Sequence, residues 1–270
     1  MKDALSQIVS NDRLTGDYYR LRVRTGWKDY TPGQFLMIDV PGDATFLRRP
    51  FGICSLKDGI AEILYKIVGK GTEVMSKLAF GTEISILGPL GKGFVFPNSE
   101  LRTLNVLVAG GYGIAPLYGL AERLKGETHL FYGAKSSGDL LYLDEFEKLG
   151  VKLHLTTEDG SKGERGLITS ELEKFSRFTV HDSRFTVFAC GPKPMLSAVQ
   201  SLVASRSSLA TSNKQQATVG CQLSLETYMA CGSGVCLGCV TKNNKGEYVR
   251  VCKEGPVFDI KDLASHCEER

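Results

Sequence analysis

The stretch MACGSGVCLGCV at residues 229–240, followed by VRVC at residues 249–252, decides how the C-terminal part of this chain folds. It carries four cysteines with the spacing C-x4-C-x2-C-x12-C, namely Cys231, Cys236, Cys239 and Cys252. The first three have the spacing of the thiolates that hold a plant-type [2Fe–2S] cluster. Glycines between them let backbone N–H groups approach the sulfur atoms, which stabilises the reduced cluster. We therefore expect a small module around a cluster that transfers one electron at a time.

Two other uses of these cysteines compete with a cluster. A zinc site would only hold a small module together, but zinc ribbons usually carry two separated C-x2-C pairs, and here the first gap is four residues. Disulfides need an oxidising compartment, and the N-terminal stretch MKDALSQIVSNDRL lacks the apolar core of a signal peptide. We therefore expect a cytoplasmic protein with metal-bound cysteines. Buried or free thiols are expected at the other positions, Cys54, Cys190, Cys221 and Cys267.

The composition is typical of a globular protein with two or three domains. The chain has 270 residues, a net charge of +3 and 42% hydrophobic residues, and chains of this length rarely form one core. The small basic excess contains no basic run of the kind that binds nucleic acid. No stretch approaches the roughly 20 apolar residues that span a membrane. We therefore expect neither nucleic acid nor a membrane among its partners.

Turn residues and apolar runs divide the chain into three parts. Residues 1–98 carry short strands between Pro-Gly and Asp-Gly turns, which is typical of an antiparallel barrel. In residues 99–212 strands alternate with helices, which predicts a parallel sheet. The polar stretch 205–216 is expected to link this domain to the cysteine module, residues 213–270.

Glycine-rich turns follow two strands of the second part. The run Leu104–Ala109 leads into GGYGIAPL at residues 110–117. Glycines let the backbone approach a pyrophosphate at a helix N-terminus, although the spacing is not G-x-G-x-x-G and such turns can serve only close packing. The motif CGP follows the strand Phe185–Ala189, at a carboxyl end where α/β sheets bind ligands. The residues predicted to bind NAD are Gly110, Gly111, Gly113, Cys190, Gly191 and Pro192.

Acidic residues at another strand end bear on the choice of nucleotide. Glu158 and Asp159 follow the predicted strand Val151–Thr156. A carboxylate there can bond the ribose hydroxyls and repel a 2′-phosphate, which favours NADH over NADPH. A solvated turn with no role in binding is equally compatible with the sequence.

Basic and glycine-rich motifs in the first part point to a second nucleotide. RRPF at residues 48–51, LYK at residues 64–66 and GKGT at residues 69–72 follow one another. Thr72 is expected to cap a short helix that continues over Glu73–Ala79. Arginine, lysine and a glycine-rich helix start can together hold a pyrophosphate, and an aromatic ring near them can cover a flavin.

In combination these motifs resemble the ferredoxin–NADP reductase superfamily. The matching motifs are PGQF at residues 32–35, RRPF at 48–51, GKGT at 69–72, GPLGKGF at 88–94, GGYGIAPL at 110–117 and CGP at 190–192. With its cysteine segment, the whole chain is similar to the electron-transfer subunits of bacterial class 1B dihydroorotate dehydrogenases. The implied fold combines an antiparallel FAD-binding β-barrel, a parallel-sheet NAD-binding α/β domain and a small C-terminal [2Fe–2S] module.

The resemblance also implies roles for individual residues. The four cysteines of the C-terminal motif would hold the cluster, and Cys190 would lie near the nicotinamide unless it is a buried structural thiol. One departure is Gly52, since the family usually has Ser or Thr there, with a hydroxyl that reaches the flavin. A backbone N–H or a neighbouring side chain would have to replace that hydroxyl. The residues implied to bind FAD are Arg49, Pro50, Phe51, Gly52, Leu64, Tyr65, Lys66, Gly71 and Thr72.

The function that the resemblance implies is electron transfer. Electrons would pass from NADH through FAD and the cluster to an FMN-containing dihydroorotate dehydrogenase catalytic subunit of pyrimidine synthesis, in a heterotetramer with two subunits of each kind. One alternative on the same scaffold is the small subunit of an NADH-dependent ferredoxin:NADP oxidoreductase, which usually has aspartate for one cluster cysteine, or of a sulfhydrogenase. An alternative of another class is a non-enzymatic binding protein with a zinc-stapled C-terminus.

Overall fold

The computed structural model of the protein describes residues 2–42, 45–96, 104–179, 185–209 and 219–264. The predicted domain boundaries after residues 98 and 212, part of the predicted linker, and Cys267 lie outside these ranges. One apolar core contains Met37 from the first part of the chain, Val106 from the second and Cys239 from the third. Among the described residues, no helix has the length and apolar character needed to cross a membrane.

The N-terminal strands close into an antiparallel barrel, as the sequence predicts. The strands are β1 (Lys2–Thr15), β2 (Tyr18–Arg24), β3 (Phe35–Asp39), β4 (Arg49–Lys57), β5 (Ile60–Lys66) and β6 (Glu83–Leu90). In the described part of the chain their order around the barrel is β1-β2-β5-β4-β3-β6. Side chains alternate between the two faces of a strand, and the inward ones, such as Leu21, Ile38 and Ile63, are fully buried.

A short helix, α1 (Lys70–Ser76), follows β5 and begins earlier than predicted. Gly69 occupies the N-cap position in extended backbone, so the prediction that Thr72 caps the helix is wrong. Thr72 is instead in the third helical position, where its hydroxyl accepts hydrogen bonds from the N–H groups of Val68 (2.9 Å) and Gly69 (3.3 Å). The threonine therefore closes the turn that leads into the helix.

The rest of the chain forms a mostly parallel sheet with helices and a small hairpin. The strands are β7 (Leu104–Gly110), β8 (Thr128–Ala134), β9 (Lys152–Thr157), β10 (Glu164–Arg165), β11 (Phe185–Cys190), β12 (Val219–Ser224), β13 (Val240–Lys242), β14 (Tyr248–Arg250) and β15 (Val257–Asp259). The helices are α2 (Ile114–Ala121), α3 (Leu143–Lys148), α4 (Ile168–Thr179) and α5 (Lys193–Leu209). Since α5 continues to Leu209, the beginning of the predicted linker is helical.

The order of the strands creates a switch point in the sheet. Within the described residues this order is β10-β9-β8-β7-β11-β12-β15, and β13 pairs with β14 separately. The chain runs from β7 through β8 to β9 on one side of β7, and later adds β11 on its other side. In open α/β sheets ligands bind at the carboxyl ends of the strands that flank such a switch point. The crevice is therefore expected where Gly110 ends β7 and Cys190 ends β11.

Strands β12 and β15 extend this sheet, although the sequence assigned residues 213–270 to a separate module. β12 pairs in parallel with β11, and β15 pairs in the opposite direction with β12. Residues 225–256, hereafter the cluster segment, therefore connect two neighbouring strands of the sheet and contain the β13–β14 hairpin. The sequence did not indicate β12 because VGCQLS is short, has few large apolar residues and follows a polar stretch.

Polar side chains fix the barrel against the sheet. Glu62 of β5 is buried, and its carboxylate accepts hydrogen bonds from the Tyr142 hydroxyl and from Arg22 Nε, both at 2.6 Å. The Tyr18 hydroxyl of β2 donates to Asp139 Oδ1 at 2.8 Å. A buried carboxylate is costly unless it is paired, so these bonds favour one orientation of the two domains and hold the crevice in place.

Candidate functional site

A cavity of about 240 Å³ opens at the switch point, where the three parts of the chain meet. The barrel contributes Phe51 and Gly52 to its wall, the sheet contributes Cys190, and the cluster segment contributes Glu226 and Met229. Mostly apolar cavities with a few converging polar groups are typical ligand sites. A ligand bound here would touch all three parts at once.

Some of the residues predicted to bind FAD lie at this cavity. Its barrel wall includes Pro50, Phe51, Gly52 and Leu64. Arg49 lies beside the glycine-rich helix start, since a Cβ atom placed on Gly71 would be 3.5 Å from Arg49 Nε. A cation beside a helix N-terminus is suited to a phosphate. The contacts of these residues with FAD remain predictions.

Three other residues predicted to bind FAD make contacts outside the cavity. The ring of Tyr65 stacks on Tyr19 in the barrel, with centroids 5.4 Å apart, because it points to the opposite face of β5 from Leu64. Lys66 Nζ lies 3.3 Å from Asp139 Oδ1 and so joins the barrel to the sheet. The hydroxyl of Thr72 is occupied in the turn before α1. In the described part of the chain, none of these three lines the cavity.

The packing around Gly52 has room for a side chain. A Cβ atom placed there would lie 3.6 Å from Pro116 Cδ, which is ordinary van der Waals contact. A serine would therefore fit, and packing does not demand glycine. At this point the cavity wall is backbone, so the replacement of the missing hydroxyl by a backbone N–H or a neighbouring side chain stays a prediction.

The predicted NAD residues form two turns in direct contact. A Cβ atom on Gly113 would lie 2.3 Å from the Cys190 carbonyl oxygen, and one on Gly110 would lie 2.6 Å from Pro192 Cδ. Glycine is thus required where the turn after β7 meets the CGP turn after β11. Gly111 differs, because its φ is 53° and no atom lies within 4 Å of its Cβ position. The glycines therefore serve close packing and also leave the strand ends open.

Glu226 and Tyr112 are cavity residues that the sequence did not indicate. The Tyr112 hydroxyl donates to Glu226 Oε2 at 3.3 Å. Water reaches the Glu226 side chain through the cavity, yet enough protein surrounds the carboxylate for burial to raise its pKa. The charge of Glu226, followed by burial, raises the pKa of Tyr112 to about 12. The sequence signal for Glu226 would have been its place just after β12, a strand that was not predicted.

The cysteine thiols already accept hydrogen bonds from the backbone around them. Cys231 Sγ accepts from the N–H groups of Ser233 (3.4 Å) and Cys236 (3.5 Å). Cys236 Sγ accepts from Gly238, and Cys239 Sγ from Cys252, both at 3.4 Å. Donors of this kind favour an anionic sulfur. The predicted thiols therefore lie in backbone shaped to receive thiolates.

The four thiols form two pairs with different surroundings. Cys236 is exposed and Cys231 is half-buried, whereas Cys239 and Cys252 are buried in the core. Burial opposes ionisation of Cys231, but hydrogen bonds from Cys236 and Ser233 outweigh it and lower its pKa to about 5. Burial and then the neighbouring Cys239 raise the pKa of Cys252 to about 12. Two iron atoms that each take two thiolates suit this pairwise arrangement.

The four thiols match a cluster in type and number. A [2Fe–2S] cluster places its four cysteines around two irons. Four thiols with backbone donors therefore fit such a cluster by donor type and number.

Comparison with known proteins identifies the family. The family model for the iron-sulfur cluster binding domain of dihydroorotate dehydrogenase B matches residues 226–264, and that for the oxidoreductase NAD-binding domain matches residues 107–201. The dihydroorotate dehydrogenase B electron transfer subunit of Caldanaerobacter subterraneus is 39% identical over 96% of this chain and 97% of its own length. The chain belongs to this family. The Fusobacterium nucleatum subunit is 34% identical over 95% of this chain and 96% of its own length.

Solved structures support the fold expected of an electron transfer subunit of this family. The chain is similar to one in the NADH-dependent reduced ferredoxin-NADP oxidoreductase structure, with a TM-score of 0.80 and 27% identity over 96% of this chain and 90% of that one. A ferredoxin NADP+ reductase from Neisseria gonorrhoeae, solved with FAD and NADP, shares the fold at a TM-score of 0.62 and 16% identity over 76% of this chain and 92% of that one.

Membership of the electron transfer subunit family confirms several predictions. The barrel, the parallel sheet and the C-terminal iron–sulfur segment are those of the predicted fold class. The chain is an oxidoreductase subunit for electron transfer, with an NAD-binding domain and an iron–sulfur cluster binding domain. The zinc alternative is not supported, because the matching family model is that of an iron–sulfur domain.

Proposed function

We propose that this chain carries electrons from NADH, through FAD in the cavity and a [2Fe–2S] cluster, to an FMN-containing dihydroorotate dehydrogenase catalytic subunit. One observation carries the proposal: the same short piece of chain forms the cavity wall and begins the cluster motif. Leu225, Glu226, Thr227 and Met229 line the cavity, and Cys231 follows two residues later. A flavin in the cavity would therefore lie close to the cluster without any further protein element between them.

Each cofactor has a definite chemical contribution when bound. FAD accepts an electron pair and releases electrons singly, so it links a two-electron donor to a one-electron cluster. The protein contributes position, exclusion of water and electrostatics. Phe51 and Met229 supply apolar walls, and the backbone N–H groups around Cys231 hold its sulfur anionic. Glu226 and Tyr112 place a carboxylate and a hydroxyl, 3.3 Å apart, at the same cavity.

The nucleotide that donates the electrons would be NADH. It would bind at the carboxyl ends of β7 and β11, beside Gly111 and the CGP turn. Asp159 at the end of β9 is already engaged, since its carboxylate accepts from the N–H of Ser161 at 2.9 Å. Glu158 next to it is exposed and is therefore the better candidate for repelling a 2′-phosphate.

The partner would dock on the exposed half of the cluster segment. Val235 and Leu237 flank Cys236, and their side chains are 81% and 58% exposed. Leu237 has a φ of 58°, a left-handed conformation that costs a non-glycine residue roughly 1–2 kcal/mol. An exposed leucine held in strained backbone beside a ligand cysteine is suited to a protein contact. We propose that this surface meets the catalytic subunit, in a cytoplasmic heterotetramer with two subunits of each kind.

Purification of the chain from its own cells tests the proposal. We expect an FMN protein that oxidises dihydroorotate to co-purify. The complex should transfer electrons in both directions, reducing orotate with NADH and NAD+ with dihydroorotate. The isolated chain should show the visible bands of a flavin and a [2Fe–2S] cluster. A partner with its own FAD and [4Fe–4S] clusters would instead make the chain a small subunit of the ferredoxin:NADP type, which the solved structure at 27% identity keeps as the second candidate.

A further inference from the structure

Arg250 connects the two pieces of chain that carry the cluster thiols. It ends β14, two residues before Cys252. Its Nη1 atom donates to the carbonyl oxygen of Gly234 at 3.2 Å, in the loop between Cys231 and Cys236. One guanidinium group thus joins the exposed loop, with its two thiols, to the turn that carries the fourth thiol.

Glu254 holds this guanidinium group in a fixed orientation. Arg250 Nε donates to Glu254 Oε2 at 3.0 Å, and Arg250 Nη2 donates to Glu254 Oε1. The backbone N–H of Arg250 also donates to Glu254 Oε2, at 2.8 Å. Two parallel bonds between a guanidinium and a carboxylate fix the geometry as well as the charges. The third Arg250 nitrogen is consequently aimed at Gly234.

Packing supports the same connection. Gly234 has a φ of 83°, and a Cβ atom placed on it would lie 2.8 Å from Lys253 Cδ and 3.5 Å from Arg250 Cδ. The loop therefore rests directly on the turn that follows β14. On its other side, a Cβ atom on Gly232 would lie 2.8 Å from Met37 Cγ of the barrel. The loop is held between the barrel and the Arg250 side chain.

The charges of the pair also act on the buried thiols. Arg250 pairs with Val240, the residue after Cys239, in the β13–β14 hairpin, and the N–H of Val251 donates to the Cys239 carbonyl oxygen at 3.0 Å. Cys252 follows Val251, so Arg250 lies on the backbone that carries both buried ligands. Reduction of the cluster adds a negative charge, which a nearby cation stabilises and a nearby anion destabilises.

We propose that Arg250 and Glu254 form a charge pair that holds the Cys231–Cys236 loop against the Cys252 turn and sets the reduction potential of the cluster. Arg250 is a positioning residue in this role. The proposal rests on the iron–sulfur cluster of the proposed function, but not on the identity of the electron acceptor.

The test measures the potential of the cluster in the purified holoprotein by a redox titration followed by electron paramagnetic resonance. We expect Arg250→Gln to lower the potential and Glu254→Gln to raise it, because the first removes a positive charge and the second a negative one. The double variant should return towards the wild-type value. Arg13→Gln is the matched control, since Arg13 Nε donates to the Gly16 carbonyl at 2.6 Å on the barrel, and it should leave the potential unchanged.

A second readout separates position from charge. Arg250→Lys keeps the charge but not the paired bonds, so the potential should stay near the wild-type value while the cluster is held more weakly. Loss of a ligand-supporting contact typically costs about 10–100-fold in metal affinity, measured here as iron retained against a chelator. Arg250→Lys with unchanged iron retention would overturn the positioning role.

A purely structural role of the pair would not shift the reduction potential in opposite directions in Arg250→Gln and Glu254→Gln. Shifts of the same sign, or no shift, in the two single variants would overturn the assignment of the potential to this pair. If Arg250→Gln takes up no cluster, Glu254→Gln decides alone: a higher potential supports the proposal, and an unchanged or lower one overturns it. The titration uses a chemical reductant, so its outcome does not depend on which partner accepts the electrons.

Discussion

The two halves of the cluster segment are held in different ways. Cys239 and Cys252 lie in the apolar core shared with Met37 of the barrel and Val106 of the sheet. Cys231 and Cys236 lie in a loop whose backbone N–H groups point at sulfur, and Cys236 is exposed. Packing therefore fixes the inner pair, and hydrogen bonds shape the outer pair. One metal-binding segment thus combines two ligands fixed by the core with two ligands on a loop that water can reach.

The largest expected difference between the two halves is in protein stability and electron delivery when one cysteine of each half is replaced by serine. Cys239→Ser places a hydroxyl in the core, which should lower the free energy of unfolding by roughly 1–3 kcal/mol in addition to the loss of the cluster. Cys236→Ser should leave stability and NADH-dependent flavin reduction largely intact but abolish electron delivery to the partner. Urea denaturation and stopped-flow absorbance would measure the two effects.

Electron delivery that survives Cys236→Ser would show that electrons leave directly from FAD. Equal losses of stability in Cys236→Ser and Cys239→Ser would contradict the distinction between a packed half and an exposed half. Cys221→Ser is a useful control for a buried cysteine outside the motif, because it tests the cost of the hydroxyl without removing a ligand.

A smaller effect is expected from the surface around the outer pair. Leu237→Asp places a charge where we expect an apolar contact, and the dissociation constant for the catalytic subunit should rise about tenfold or more. Leu167→Asp is the matched control, since Leu167 is 63% exposed on the sheet domain. Calorimetric titration would measure both. Equal affinities for the two variants would place the partner on another surface.

The smallest expected effect is a difference in thiol reactivity once the iron has been removed with a chelator. Alkylation proceeds through the thiolate. Because the pKa of Cys231 is about 5, its reaction with iodoacetamide should be near its maximal rate at pH 7 and slow as the pH falls through about 5. Cys252, buried and with a pKa of about 12, should stay unmodified at pH 7. Mass spectrometry of the alkylated peptides would distinguish the two, and similar labelling of both would contradict the comparison.

The sequence predicted the parts of the molecule that have short-range signals. The spacing from Cys231 to Cys252 predicted an iron–sulfur segment, and the glycine-rich turn after Leu104–Ala109 predicted the strand end that borders the cavity. Such motifs can be recognised in a sequence because the ligand or the turn constrains residues a few positions apart. The barrel could be predicted for the same reason, since short apolar strands lie between residues that strongly favour turns.

Features that depend on distant neighbours were not predictable from the sequence. The sequence predicted Thr72 as the helix cap, but the helix begins at Lys70 with Gly69 as its N-cap. The FAD contact of Lys66 stays a prediction, and the sequence did not indicate its ion pair with Asp139 of the other domain. Glu226 gains its environment from Tyr112, which is more than a hundred residues away. For Lys66 and Glu226 the missing information is a contact with a residue far along the chain. Gly69 and Thr72 are close in sequence, and either residue type can stand at a helix start, so the sequence alone did not decide between them.

The position of the cluster segment between β12 and β15 has a consequence for the maturation of the protein. Its two ends are neighbours only when these strands have paired at Leu223 and Phe258. Before that, the chain must close a long loop, at an entropic cost, to bring Cys231 near Cys252. Pairing of β12 with β15 therefore lowers the cost of bringing the ligands together, so the folded sheet edge favours uptake of iron.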